Sequence, residues 1–359
     1  MPQITQPNIV PVVLAGGQGT RFWPISRSDH PKQFLSISEN GESLIQATIN
    51  RLELLAKPNS MLVVTNVNHE QLVKKHVPQC NLIAEPIAKN TAASIGVAAL
   101  WCIKNSPGSV MAVFPADHHI ENTNVLVEKI KIAAAQAQSS DSLITLGVRP
   151  SYPNTAYGYI RRGEQVADSI YEVSRFFEKP SLERARKYLE DGNFYWNSGI
   201  FIWKPEIYLE AIKSYLPELH SGLMELKENF YESSKSDEFR KIFDRLESIS
   251  VDFGILEHAQ NCLVVEAEDL GWNDVGSWDA WANHFKADSN NNLLHGQTLA
   301  LDSDNSVVYS NDRLIALLGC SDLVVIDSKD ALLVCPRSRV QDVKEVVTKL
   351  IEQGRTDLT

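Results

Sequence analysis

Val12-Val13-Leu14-Ala15-Gly16-Gly17-Gln18-Gly19-Thr20-Arg21-Phe22-Trp23-Pro24, followed by Pro31-Lys32-Gln33, is the stretch on which the reading of this chain rests. Its apolar run has the character of a buried strand and stops at three glycines within four residues. Glycine lets backbone come close to a ligand and turn its N–H groups toward it. Arg21 and Lys32 add the charge that phosphate oxygens require. The segment reads as a triphosphate cradle at the carboxyl end of a strand. Two familiar phosphate loops do not fit. Gly19-Thr20-Arg21 stands where a P-loop needs Gly-Lys-Ser/Thr, and Phe22 stands where the dinucleotide fingerprint needs its third glycine. Read alone, a glycine-rich turn between strand and helix is equally compatible with binding nothing.

Outward from that segment the pattern alternates. Apolar runs at 9–14, 61–65, 81–84, 110–114 and 143–148 read as buried strands. Amphipathic stretches at 44–55, 69–76, 91–104 and 125–139 lie between them, with Ser43 and Asn90 where N-caps belong. Such alternation predicts an α/β fold: a mostly parallel sheet covered by helices on both faces. From Tyr157 the signals mix. Strands are expected at 157–162, 171–177, 200–203 and 262–266, helices at 182–189, 205–215 and 238–246, and an exposed connection at 229–237. After about Phe285, apolar runs begin at Val307, Leu314, Leu323 and Ala331, spaced 7, 9 and 8 residues apart and punctuated by turn residues. That spacing predicts a small all-β unit. Residues 338–353 read as a closing amphipathic helix with Val343, Val346, Val347 and Leu350 on one face. The expected domains are 1–285 and 286–359.

Composition bounds the function. The chain has 359 residues, 43% hydrophobic and 22% charged, with 34 basic and 45 acidic residues and a net charge of −11. An acidic chain without a Lys/Arg run is poorly suited to nucleic acid or anionic membrane, so neither is expected as a partner. No segment reaches the ~18 apolar residues of a membrane span, and the N-terminus lacks the positive region of a signal peptide. Five scattered cysteines with no Cys-x-x-Cys pair suit reduced core thiols of a cytoplasmic protein.

Further chemistry-bearing residues lie at predicted strand ends, where ligands of open α/β sheets collect. Asp117, in Phe-Pro-Ala-Asp-His-His, follows one strand, and Asp274, in Gly-Trp-Asn-Asp-Val-Gly, follows another. Two carboxylates converging there would suit Mg²⁺, which takes oxygen ligands and bridges phosphates; each alone reads as well as a turn cap. Adjacent side chains of an extended chain point oppositely, so His118-His119 reads as structural or surface residues ahead of a metal pair. Glu85-Pro86 and Glu178-Lys179-Pro180 also end strands. A carboxylate accepts hydrogen bonds only, which suits the N1–H and N2–H₂ donors of guanine or the hydroxyls of a sugar. Trp196, Trp203, Trp272 and Trp278 read mainly as packing.

The first segment, in the form Leu-Ala-Gly-Gly-Gln-Gly-Thr-Arg-Phe-Trp-Pro with Pro-Lys-Gln-Phe-Leu, closely resembles the signature of the sugar-nucleotide pyrophosphorylases. It looks like their mannose-1-phosphate guanylyltransferase branch. AEPIAKNTAAS (84–94), FPADHHI (114–120), YGYI (157–160), FFEKP (176–180), WNSGIF (196–201) and GWNDVGSW (271–278) match in the family's order across nearly the whole chain. The resemblance implies a Rossmann-like, GT-A-like mixed sheet flanked by helices, with a short C-terminal β-helix and its closing helix. It implies transfer of GMP from GTP to mannose 1-phosphate with Mg²⁺ or another divalent cation, and allows a homodimer. It implies nucleotide binding at Leu14, Ala15, Gly16, Gly17, Gly19, Thr20, Glu85, Asn90 and Thr91. The sugar phosphate falls to Gly158, Glu178, Lys179 and Asn197, metal ligation to Asp117 and Asp274, and catalysis to Arg21, Lys32, Asp117, Lys179 and Asp274. Some relatives carry a further isomerase domain; with the chain ending at Thr359, the single-activity form is expected. Another sugar 1-phosphate, another nucleotide, or a non-catalytic homologue that binds a nucleotide sugar are the alternative readings. The C-terminal unit, whose charges lie mostly in turns, is expected to be structural.

Overall fold

In the computed structural model, which describes residues 7–17, 19–36, 41–229, 237–282 and 285–359, the opening apolar run is strand β1 (Ile9–Ala15). Eight more strands share its sheet: β2 (Leu62–Asn66), β3 (Asn81–Glu85), β4 (Val110–Pro115), β5 (Leu143–Val148), β6 (Tyr159–Ala167), β7 (Ile170–Phe177), β8 (Phe194–Trp203) and β9 (Cys262–Glu266). The order is β3-β2-β1-β4-β8-β5-β9-β7-β6, with β6 also paired to β8. β3, β2, β1 and β4 are parallel neighbours, as are β5 and β9. β8 runs antiparallel to both β4 and β5, which makes the sheet mixed.

The helices are α1 (Leu44–Leu52), α2 (Glu70–His76), α3 (Asn90–Asn105), α4 (Thr123–Ser139), α5 (Leu182–Asp191), α6 (Pro205–Tyr215), α7 (Pro217–Asn229), α8 (Asp237–Arg245), α9 (Trp278–Ala282) and α10 (Val343–Glu352). α3 is apolar around most of its circumference because it is buried on several sides. Its small residues Ala92, Ala93, Ala98 and Ala99 lie in one core with Val10 and Val12 of the sheet and with Ile212 and Leu223 of α6 and α7. The predicted connection at 229–237 lies largely outside the described residues.

Two compact units result. One comprises the chain up to Gly16 with Ile49–Ala116 and Ile120–Trp272; it holds the whole nine-stranded sheet. The other gathers Gly17–Thr48, Asp117–His119 and Asn273–Thr359. In this second unit β10 (Leu293–His295), β12 (Val307–Tyr309) and β14 (Leu323–Asp327) stack in parallel. β11 (Thr298–Leu301) and β13 (Ile315–Leu318) form a second parallel pair, and β15 (Leu332–Pro336) closes antiparallel on β14. Leu293, Val307 and Val324 sit in register, one above another. Asn292 fixes the polar corner, its Nδ2 donating to the Ser303 carbonyl and its Oδ1 accepting from the Ser306 N–H. This is the short β-helix the resemblance implies.

The closing helix begins later than the sequence predicts. Pro336 precedes a 3₁₀ turn over Arg337–Asp342, and α10 proper starts at Val343. Val343 and Val347 are buried with Val307, Val324, Ile326, Phe22 and Trp23 in one core, while Val346 of the predicted face is exposed. The segment following the glycine loop therefore packs with the C-terminal residues. All five cysteines are free; Cys102 and Cys262 are core residues, whereas Cys80, Cys320 and Cys335 are half-buried rather than internal. No helix among the described residues is long and apolar enough to cross a membrane.

Candidate active site

The loop leaving β1 is pinned by its glycines. Gly19 adopts φ +62°, and a Cβ there would come within 2.4 Å of the Lys32 Cβ and 2.7 Å of the Lys32 amide nitrogen. Only glycine admits that approach without strain. The Gly19 carbonyl accepts from the Phe22 N–H (2.9 Å) and the Ser26 hydroxyl (2.7 Å), and the Gly17 carbonyl accepts from Gln33 Nε2 (3.1 Å). The aromatic residues after the loop hold it from below: Phe22 meets Trp278 at 5.0 Å, and Trp278 Nε1 donates to the Trp23 carbonyl. Gln18 lies outside the described residues. Gly16 and Gly17 are exposed. Leu14 and Ala15, in β1, have their carbonyls bonded to the Ala116 N–H and the Thr65 hydroxyl.

Within the second unit a cavity of about 340 Å³ is lined by Gly19, Thr20, Arg21, Lys32, Asp117, Asp274 and, from α10, Lys344. Lys32 is 5% exposed. Its Nζ donates to Asp117 Oδ2 at 2.8 Å and to the Asp274 carbonyl at 2.6 Å. Burial opposes the Asp117 charge, but Lys32, with His118 beside it, more than offsets burial and holds the carboxyl below its usual range. Asp274 Oδ1 accepts from the Gly276 N–H at 3.0 Å, and Asn273 accepts likewise from the Val275 N–H at 2.7 Å. These two turns orient the Asp274 carboxylate at the cavity wall. Two carboxylates in a pocket rimmed by cations are the donor set that Mg²⁺ uses when it retains water and bridges phosphates, so the residues present fit such an ion.

The first unit carries the other predicted residues. Glu85, at the end of β3, is 3% exposed. Burial pushes its carboxyl up to about 7, with a Ser94 hydrogen bond acting the other way. Its Oε1 has no hydrogen-bond partner among the described residues. A buried unpaired acceptor costs stability, which a donor-bearing ligand would relieve. Asn90 opens α3 at φ +64° and accepts from the Thr91 N–H. It is not the N-cap expected. The Thr91 hydroxyl accepts from the Val251 N–H at 2.9 Å.

Gly158, Glu178, Lys179 and Asn197 come together. A Cβ on Gly158 would stand 2.6 Å from Glu178 Oε2 and 3.4 Å from the Asn197 Cβ. The Asn197 N–H donates to the Gly158 carbonyl at 2.9 Å, and Lys179 Nζ donates to Glu178 Oε1 at 2.7 Å. Sequence reading misses one member of this cluster, Asp252. It opens a π-helical turn (Asp252–Leu256), a conformation frequent at functional sites, and accepts from Asn197 Nδ2 at 2.8 Å. Burial and the neighbouring Glu178 push its carboxyl up to about 7, against the pull of Asn197 and Lys179. The available signal is an acidic residue inside the apolar run Ile249–Leu256. Trp196, Trp203, Trp272 and Trp278 are all buried and serve packing; Trp203 stacks on Tyr208 at 4.9 Å.

Residues 10–291 match the family model described as Nucleotidyl transferase, and residues 296–350 match the MannoseP isomerase/GMP-like beta-helix domain. A putative mannose-1-phosphate guanylyltransferase from Vibrio cholerae is 37% identical over 97% of this chain and 76% of its own length. A mannose-1-phosphate guanylyltransferase from Escherichia coli is also 37% identical, over 97% of this chain and 77% of that one. Among solved structures, one described as mannose-1-phosphate geranyltransferase from Thermus thermophilus superposes with a TM-score of 0.86. It shares 32% identity and covers 96% of this chain and 99% of its own. On the fold, the glycine loop with its carboxylates, and these matches, the chain belongs to the nucleotidyl transferase family, with a C-terminal GMP-type β-helix.

Proposed function

We propose that this enzyme transfers GMP from GTP to α-D-mannose 1-phosphate, releasing pyrophosphate and forming GDP-mannose. The observation that carries the reading is the cavity in which Arg21 and Lys32 stand beside Asp117 and Asp274 on a glycine-pinned loop. The relatives' activity supports the choice of substrates.

An oxygen of the sugar phosphate forms the new bond to the α-phosphorus of GTP, and the bond from that phosphorus to the β-phosphate bridge breaks. The electron pair leaves with pyrophosphate. The attacking monoester is largely ionised at pH 7, so no side chain has to remove a proton. The protein's contribution is alignment and stabilisation of charge. Asp117 and Asp274 would hold a divalent cation, which supplies positive charge for the phosphate oxygens. Lys32, ion-paired with Asp117, and Arg21 face the departing pyrophosphate. Lys179 neutralises the sugar phosphate. Glu85 takes the guanine N1–H and N2–H₂, with Asn90 and Thr91 at the same helix start. Glu178, Asn197 and Asp252 take hydroxyls of the sugar, and Gly158 leaves room for its ring.

A cytoplasmic setting agrees with five free thiols. A homodimer agrees with the leucines Leu299, Leu301 and Leu318, which are exposed on the paired strands β11 and β13; a second copy would cover them. The division into a catalytic domain over 1–285 and a β-helix domain over 286–359 follows the same reading.

The test follows the label. With GTP labelled in the α-phosphate, the label should enter GDP-mannose; with label in the γ-phosphate, it should leave in pyrophosphate. Label released as free phosphate or GMP, with none in a sugar nucleotide, would refute transfer.

A further inference from the structure

Lys344 is the second residue of α10, and two features fix where it stands. Its neighbour Val343 and, one turn on, Val347 are buried with Phe22 and Trp23. The same helix packs on the 3₁₀ turn Thr20–Phe22. The first turn of α10 is thereby held against the loop that carries Arg21, and Lys344 lines the same cavity as Arg21, Lys32, Asp117 and Asp274. The cations of this cavity differ in occupation. Lys32 is committed to Asp117 and to the Asp274 carbonyl. Lys344 is exposed, and among the described residues its ammonium has no carboxylate partner. The next lysine on the helix, Lys349, is instead paired with Glu352 at 2.6 Å. A lysine with no carboxylate partner among the described residues, lining a cavity with two carboxylates and a guanidinium, is suited to a polyanion that brings more negative charge than Arg21 and Lys32 offset.

We propose that Lys344 binds the β- and γ-phosphates of the incoming nucleotide and the pyrophosphate that leaves, so that the C-terminal helix contributes a residue to the reaction. The inference rests on the nucleotidyl-transfer reading of this cavity. It also departs from the expectation that the C-terminal unit is only structural. Lys344 touches no reacting bond; its role is to bind and position the leaving group.

The experiment uses the full-length protein and titrates magnesium pyrophosphate calorimetrically into wild type, Lys344→Ala, Lys344→Arg and Lys349→Ala. Steady-state kinetics in both directions accompany it. Loss of one charge-assisted contact in a partly open pocket predicts roughly tenfold weaker pyrophosphate binding in Lys344→Ala. A comparable rise is expected in the KM for pyrophosphate, with the KM for mannose 1-phosphate unchanged. Lys344→Arg should retain most of the affinity, and Lys349→Ala should match wild type. Unchanged pyrophosphate affinity in Lys344→Ala overturns the proposal. So does an equal loss in Lys349→Ala, which would mark a general effect of helix charge. If Lys344→Ala melts early, Lys344→Gln replaces it under the same criteria. Failure of the underlying reading is seen separately: wild type would bind magnesium pyrophosphate yet convert no GDP-mannose to GTP.

Discussion

Asp117 in one unit, and Glu85 and Asp252 in the other, are treated in opposite ways. In the glycine-loop unit, Asp117 is held ionised by Lys32 at 2.8 Å, below its usual range. In the sheet unit, Glu85 is buried and Asp252 half-buried, neither with a neutralising partner in contact among the described residues, and both are pushed up to about 7. The contrast matches what each unit is proposed to hold. A triphosphate and a divalent cation need fixed charge, and Lys32 favours the ionised form of Asp117. A base and a sugar need directional acceptors in a dry site, where a carboxyl close to its midpoint is one consequence of desolvation.

The largest expected effect breaks the charged half. Asp117→Asn or Asp274→Asn should lower kcat roughly 100-fold or more, because metal-borne stabilisation is worth several kcal/mol. Stopped assays at saturating magnesium check this, and near-normal turnover in both variants would remove these residues from the metal site. In the sheet unit, Asp252→Ala should raise the KM for mannose 1-phosphate by about tenfold or more while sparing the KM for GTP, since one part-buried hydrogen bond to a carboxyl is lost. Equal changes in both KM values would reduce Asp252 to a structural role.

Glu85 sharpens the comparison through pH. Guanine donors favour its carboxylate, so kcat/KM for GTP should rise with pH through about 7. Glu85→Gln should flatten that rise and narrow the GTP-over-ATP preference by about 1–3 kcal/mol. A wild-type profile that is flat from pH 6 to 8 would move base recognition elsewhere. The same shift has a stability consequence of known sign. The folded-state pKa lies above the unfolded one near 4.5, so between the two the native protein binds more protons and stability falls as pH rises. Glu85→Gln should therefore stabilise the free protein at pH 8, by about 1–3 kcal/mol, and raise its melting temperature there. The gain should vanish below about pH 4. The smallest effect belongs to the exposed turns of the β-helix, where Asp312→Ala and Lys329→Ala should leave kcat unaltered.

Most of the sheet is legible in the chain, because each parallel strand is an apolar run between turn signals: the runs expected at 110–114 and 143–148 are β4 and β5 nearly to the residue. β8 is legible only in its last four residues, 200–203, because Asn197, Ser198 and Gly199 interrupt the apolar run that its central position in the sheet otherwise demands. β10 and β11 escape the sequence reading. The three residues of β10 carry too little periodicity, and β11 turns its leucines outward, where only stacking on β13 makes it a strand. At the site, motif residues such as Lys32 and Asp117 are legible because glycine and charge stand together in sequence. Asp252 and Lys344 are not, because each reaches its cavity or cluster through tertiary packing, on a π-helical turn and on a terminal helix.

The most direct test of the central claim is pyrophosphate release measured for all four nucleoside triphosphates against mannose 1-phosphate, glucose 1-phosphate and galactose 1-phosphate, with and without a divalent cation. The account predicts that GTP with mannose 1-phosphate gives the highest kcat/KM and that chelation abolishes release. Release that is indifferent to the sugar phosphate, or a clear preference for another nucleotide, would contradict it.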